Sequence, residues 1–275
     1  MTTKENIAEA FRSSLNAVNR RDNEGISKFL SDKIIHNGET IYKDDYIRHI
    51  TKGVPESSVD HRIDLDMLAV NNDASSLAAR LIHQVTLTDQ QHVEWPENSF
   101  VWFDTQGRIL RIQSLVDDDV LRSGTAPVPV PRNVPDAKQA PLPPGSDLAA
   151  MYRDYIHAIN TLTMREKFPS YCHPTVTHNA RALGLDEYCG FIEDDMETIR
   201  GLTFTVKAIV ADDEAQHVAA RIEFTGTPAR EFRGIQPNGK PVRFWEHVLY
   251  GLDGGKISWV WSVLDFEAYR RCLEG

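Results

Sequence analysis

Cysteine is scarce in this chain: three residues, Cys172, Cys189 and Cys272, in 275. An odd count with no metal-ligand spacing gives neither a disulfide framework nor a zinc site, and a structural thiol is the commoner role than a nucleophilic one. That fits a reducing, cytoplasmic setting. Positive charge is in deficit as well. Thirty Lys and Arg against forty Asp and Glu leave a formal charge of −10, the wrong sign for nucleic acid or an anionic membrane, both of which need clustered Lys and Arg. No apolar run approaches the length of a membrane span, and the polar start MTTKENIAEA lacks the apolar core of a signal peptide. P-loop, dinucleotide and metal-site patterns are missing too. His92 and Glu94 alternate on one strand, which is too little for a metal. No cofactor and no metal are expected.

What is present is concentrated near the C-terminus. Val218–Thr225, Arg243–Leu252 and Ile257–Leu264 are apolar runs with the length and the β-branched and aromatic content of strands. Pro-Asn-Gly turn chemistry in GIQPNGK and a tight DGGK hairpin connect them into a meander. Upstream, Ile7, Phe11, Leu15 and Val18 fall at helical spacing, short helices are expected near 23–30 and 43–51, and residues 62–116 read as strands. Residues 123–146 hold seven of the fourteen prolines, a density that forbids helix or central strand and marks an extended connector.

Beyond it the pattern restarts. Helices are expected over 147–159 and 186–199, the acidic run Glu193–Glu197 being a solvated face of the latter. LNAVN matches IHAIN, IIHN matches VTHN, NNDASSLAAR matches ADDEAQHVAAR, and DTQGRILRIQSLVD matches LDGGKISWVWSVLD, all in the same order. This predicts a tandem duplication of one α+β unit of roughly 120 to 130 residues, a normal domain size: residues 1–122, the linker 123–146, and residues 147–275.

The second half resembles the SnoaL-like polyketide cyclases of the nuclear transport factor 2 and ketosteroid isomerase superfamily. The resemblance rests on the opening helix, CHPTVTHN, VAARIEFTGT, GIQPNGKPVRF and DGGKISWVWSVLDF, and covers nearly all of residues 147–270. The first half keeps the helix, the HN, the AAR and the last hairpin but has nothing like GIQPNGK, so it is expected to be a scaffold. The resemblance implies two cone-shaped domains, each a bent antiparallel sheet closed by N-terminal helices over an apolar pocket. It also implies acid/base chemistry, without a cofactor, on a small apolar polyketide or terpenoid intermediate. The family's strand His falls on His247, with Asn98 at that place in the first half. Its catalytic Asp position, five residues after the Ile of D-G-K-I, holds Ser262 here and Ser114 in the first half, which departs from ring closure by the family's own route.

Register decides what can meet, because side chains alternate across a strand. A four-residue DGGK loop pairs Leu252 with Ile257 and sets His247 opposite Ser262 and Trp245 opposite Leu264. One face then holds Trp245, His247, Leu249, Val260, Ser262 and Leu264; the other holds Phe244, Glu246, Val248, Tyr250, Trp259, Trp261 and Val263. A sheet apolar on both faces needs two covers, so an intramolecular pseudo-dimer is expected, with homodimerisation left open.

His247 is the expected general acid/base, since imidazole titrates near neutral pH; the alternative is a buried neutral His bonded to Ser262. His178 is placed at the pocket rim or in a structural role at a strand start, with His36 its copy. Tyr152 and Tyr155 line the pocket or pack the core. Arg221, matched by Arg80, makes an ion pair or touches ligand. Asp265 faces ligand if the register slips, and otherwise caps the helix FEAYRRCLE. The expected function is a cyclase or isomerase. A non-catalytic binding or assembly protein, or a dehydratase or hydrolase, is the alternative.

Overall fold

The computed structural model describes residues 3–52, 58–117, 129–133 and 139–274. The chain divides into Met1–Asn133 and Val134–Gly275. In the first unit, α1 (Lys4–Asn19) and α2 (Asn23–Lys28) precede β1 (Leu30–His36), β2 (Glu39–Tyr42) and α3 (Lys43–Lys52). The long strands β3 (Ser58–Val70), β4 (Ser76–Leu87), β5 (His92–Phe103) and β6 (Ile109–Val116) follow. The second unit repeats the order with α4 (Leu148–Asn160), α5 (Met164–Tyr171), β7 (Cys172–His178), β8 (Arg181–Gly184) and α6 (Leu185–Thr198). Its long strands are β9 (Ile199–Asp212), β10 (His217–Pro228), β11 (Val242–Asp253) and β12 (Lys256–Leu264), and α7 (Phe266–Glu274) closes it.

The six-stranded sheets run β2-β1-β6-β5-β4-β3 and β8-β7-β12-β11-β10-β9, one topology used twice. Pairing is antiparallel except for β1–β6 and β7–β12, which refines the expected all-antiparallel sheet. Duplication in an α+β fold is therefore the architecture. Among the described residues no helix is long and apolar enough to cross a membrane.

Local chemistry explains the elements. Thr3 and Asp147 cap α1 and α4 by accepting from the amides of Asn6 (3.2 Å) and Ala150 (2.9 Å). The apolar stripes behind the caps then bury Ile7 and Phe11 in one unit and Tyr152, Tyr155, Ile156 and Ile159 in the other. At the helix ends, Asn19 and Asn160 act as clamps. Each side-chain amide donates to a backbone carbonyl of an edge strand, β3 or β9, and accepts from the same residue's amide, Ile63 for Asn19 and Phe204 for Asn160, at 2.8–2.9 Å. The HN motifs behave likewise. Asn37 and Asn179 stand at positive φ after β1 and β7 and accept from the amides of Ser114 and Ser262, both at 2.9 Å.

α5 is absent from the sequence reading, because Pro169 lies inside it. Of the Pro-rich connector, residues 123–128 and 134–138 lie outside the described residues, as does the expected domain end at 122. Its described parts are neither helix nor strand. Arg80 donates to the Pro131 carbonyl at 3.0 Å in the first unit, and Gln216 to that of Ala140 at 2.7 Å in the second.

Candidate active site

The last hairpin fixes which side chains enter the second cone. Gly254 and Gly255 both take positive φ, giving a two-residue turn, and Leu252 pairs with Ile257 as the sequence reading expected. A bulge then intervenes: Gly251 pairs with Trp259, leaving Ser258 as the extra residue. Ser258 Oγ donates to the Gly251 carbonyl at 3.1 Å. A Cβ on Gly251 would lie 1.8 Å from the Trp259 indole, so only glycine admits that ring across the strand.

One extra residue shifts every pair beyond it. His247 pairs with Val263, Val248 with Ser262 and Glu246 with Leu264. The expected face is thereby split. Val260, Ser262 and Leu264 stay on the side of the helices, with Phe244, Glu246, Val248 and Tyr250. Trp245, His247 and Leu249 turn to the other face, so pairing of His247 with Ser262, and pocket roles for Trp245 and Leu249, are corrected. His247 is fully buried there, level with Arg221 of β10. Arg221 lies 3.4 Å from the centre of the Trp245 ring, so it too faces away from the cone. Asp265 accepts from the Ala268 amide at 2.9 Å and caps α7 rather than meeting a ligand.

Inside the second cone the strand β11 contributes the carboxyl of Glu246. Ser262 Oγ donates to its Oε1. Burial pushes its pKa up to about 7, the Ser262 bond holds it down somewhat, and the Asp195 carboxylate of α6 raises it further. Asp195 is itself pushed up to about 6 by burial, opposed by Arg233. The same side of the sheet holds paired phenols: Tyr155 and Tyr188 share a hydrogen bond of 2.7 Å, and Tyr152 donates to Tyr250 at 3.3 Å. Burial raises the pKa values of all four, so they remain protonated donors. His178 faces the cone beside Tyr188 and Phe191, and burial lowers its pKa to about 4, leaving a neutral imidazole at pH 7. Cys172 is buried with its thiol pushed far up, which leaves no thiolate.

The first unit, read from sequence as a scaffold, holds a cavity of about 440 Å³ on the same side of its sheet. Glu97 occupies the place of Glu246, and Ser114 that of Ser262. His83 Nε2 lies 2.9 Å from Glu97 Oε2, and His61 Nε2 lies 3.0 Å from His83 Nδ1. Ser99 Oγ donates to the other Glu97 oxygen. Counting from the clamps, Ser14 stands where the second unit has Tyr155; from the hairpins, Val101 stands where it has Tyr250. Two missing rings leave the first cone open. Sequence reasoning passed over Glu97 and missed Glu246's face because both depend on register. Among the described residues no group of three or more His, Cys, Asp or Glu is placed to hold a metal ion.

Residues 149–272 match the family model described as SnoaL-like polyketide cyclase. A SnoaL-like polyketide cyclase from Agrobacterium tumefaciens is 34% identical over 46% of this chain and 97% of its own, with a TM-score of 0.43. TsrD from Streptomyces laurentii is 20% identical over 46% of this chain and 94% of its own, TM-score 0.42. IdmH from Streptomyces antibioticus is 18% identical over 47% and 100%, TM-score 0.41. No curated protein matches the chain. By the family model over its second half and the 34% identity to the Agrobacterium protein, the chain belongs to the SnoaL-like polyketide cyclase family.

Proposed function

We propose that the protein is an acid/base cyclase or isomerase of a small, largely apolar polyketide or terpenoid intermediate, with Glu246 rather than His247 as the group that moves the proton. The observation that carries this reading is a carboxyl group hydrogen-bonded to Ser262 on the side of the sheet that also carries four protonated phenols. A base works best with a pKa near the operating pH, and burial brings Glu246 there. Its carboxylate takes a proton from a carbon beside a carbonyl. A tyrosine hydroxyl or the neutral His178 donates to the enolate oxygen; return of the proton to another carbon completes an isomerisation, and attack of the carbanion on a second carbonyl of the same substrate, whose oxygen takes up the proton, completes a ring closure. Holding a flexible chain in a reactive shape supplies part of the acceleration.

A non-catalytic binder is the second reading. It is favoured by Ser262, which stands where the family's catalytic Asp would be. The test is mass spectrometry of polyketide and terpenoid β-dicarbonyl compounds incubated with the chain in deuterated water. Glu246→Gln keeps a partner for Ser262 and should lower label incorporation or turnover by about 10²- to 10⁴-fold, the usual worth of a positioned acid/base group. Thermal stabilisation by a compound that neither protein labels or converts would support the binder instead.

A further inference from the structure

We propose that the first cone is a second, independent active site, in which His61 deprotonates a neutral, mostly apolar carbonyl compound while His83 and Glu97 fix its tautomer and position. The geometry supplies each part. Glu97 is the only charged side chain lining the cavity, among the described residues, and no Lys or Arg joins it. An anionic ligand would meet no counter-charge there, and 440 Å³ lies within the roughly 300–1,000 Å³ of small-molecule sites.

The hydrogen bonds set the tautomers. His83 and Ser99 outweigh the burial of Glu97 and keep its carboxyl ionised, so it accepts and His83 Nε2 must donate. His83 Nδ1 then carries a lone pair and accepts from His61 Nε2–H. That leaves His61 Nδ1 bare: a base lining the cavity, neutral at pH 7 because burial and the neighbouring His83 lower its pKa to about 4. Trp95 fixes the planes, stacked on His83 at 5.1 Å and 8° and on His61 at 6.2 Å and 17°.

In the step itself the substrate C–H bond breaks, the proton goes to His61 Nδ1, and the electron pair moves onto the carbonyl oxygen. Tyr46 and His36, whose rings lie 5.4 Å apart on the cavity wall, are two of the donors, beside Ser14, Asn37, His49 and Ser114, that line the space around that oxygen. Returning the proton to a different carbon completes an isomerisation with no oxidant or co-reactant. The second cone cannot run this chain, because Phe224 stands where His83 does.

The test uses 5-nitrobenzisoxazole, a neutral apolar carbon acid whose deprotonation opens the ring to a coloured phenolate. The full chain should turn it over faster than imidazole at equal concentration. His61→Phe and Glu97→Gln should each cut kcat at least tenfold with KM changed less than threefold, and the double change Ser14→Tyr, Val101→Tyr, which copies the rings of the second cone, should remove saturable turnover. His61→Gln replaces His61→Phe if circular dichroism shows the latter unfolded. Nitrogen NMR of the wild-type chain should find His61 protonated at Nε2 and bare at Nδ1. A wild-type rate no better than imidazole, variant rates within twofold of wild type, or a proton on His61 Nδ1 would each overturn the proposal.

Discussion

Glu246 and His247 are chain neighbours with opposite surroundings, and each makes a different demand on the fold. The pKa of Glu246 is raised from its ordinary 4.5 to about 7, so the unfolded chain gives up that proton first as pH rises. Stability is therefore lost between those two values, by roughly 3 kcal/mol at 1.36 kcal/mol per unit. Glu246→Gln should lower turnover, and its stability over wild type should grow from nothing near pH 4.5 to about that much at pH 8, read by urea unfolding. His247→Ala should do the reverse. Turnover should stay within a few-fold of wild type while stability falls by about 2 kcal/mol or more, the usual result of emptying a fully buried position. Loss of turnover in a folded His247→Ala protein would return the imidazole to the mechanism. Identity alone could nominate either residue. Only the pairing decides which one meets substrate, and pairing is a property of two strands.

At the scale of elements, most of the fold was legible where one rule governed. Helical spacing gave α1 and α4, and Gly-Gly and Asn signals gave the turns. The bulge had one sign, a glycine inside a long strand, which marks either a bulge or a close approach; Gly251 is both. The Asn clamps carry weight that the exposed position of Asn160 does not suggest. Asn160→Ala removes two hydrogen bonds to Phe204 and should cost about 2 kcal/mol at about 1 kcal/mol per bond. The HN turns differ in an instructive way. Gly38 follows Asn37 at φ +93°, but Ala180 follows Asn179 at φ +69°, where a Cβ is strained. Ala180→Gly should therefore stabilise the second unit by about 0.5–1 kcal/mol despite the added freedom of the unfolded chain. An unchanged or lower melting temperature would show that the turn has no such strain.

Across the whole molecule, the duplication was readable because the repeated words LNAVN and IHAIN, IIHN and VTHN end in the clamping asparagines. The insides of the cones were not readable, since Ser14 for Tyr155 and His83 for Phe224 are ordinary changes until register brings them together. Those changes give the units opposite responses to acid. In the first, His61 is held neutral and Glu97 ionised, so protonating either one costs stability, His61 between about pH 6.5 and 4 and Glu97 below its ordinary 4.5. In the second, His178 costs stability over its same window, but Glu246 and Asp195, both raised, restore it as pH falls. Hydrogen exchange at pH 4.5 should therefore release residues 3–117 well before 139–274; equal release would contradict the assignment.

The Ser258 bulge also bears on how this chain can change length. It is one residue of slack beside the turn. Loss of the Ser258 codon in frame can be taken up by straightening the ladder, with Gly251 still facing Trp259 and Glu246 still entering the cone beside Ser262. A codon gained at the same spot finds no such reserve and must widen the bulge or turn the strand over. Leu110 is the corresponding extra residue in the first unit, where Trp102 pairs with Arg111 and Phe103 with Ile109. Both copies thus carry the same asymmetry: their last hairpins can shorten by one residue more easily than they can lengthen.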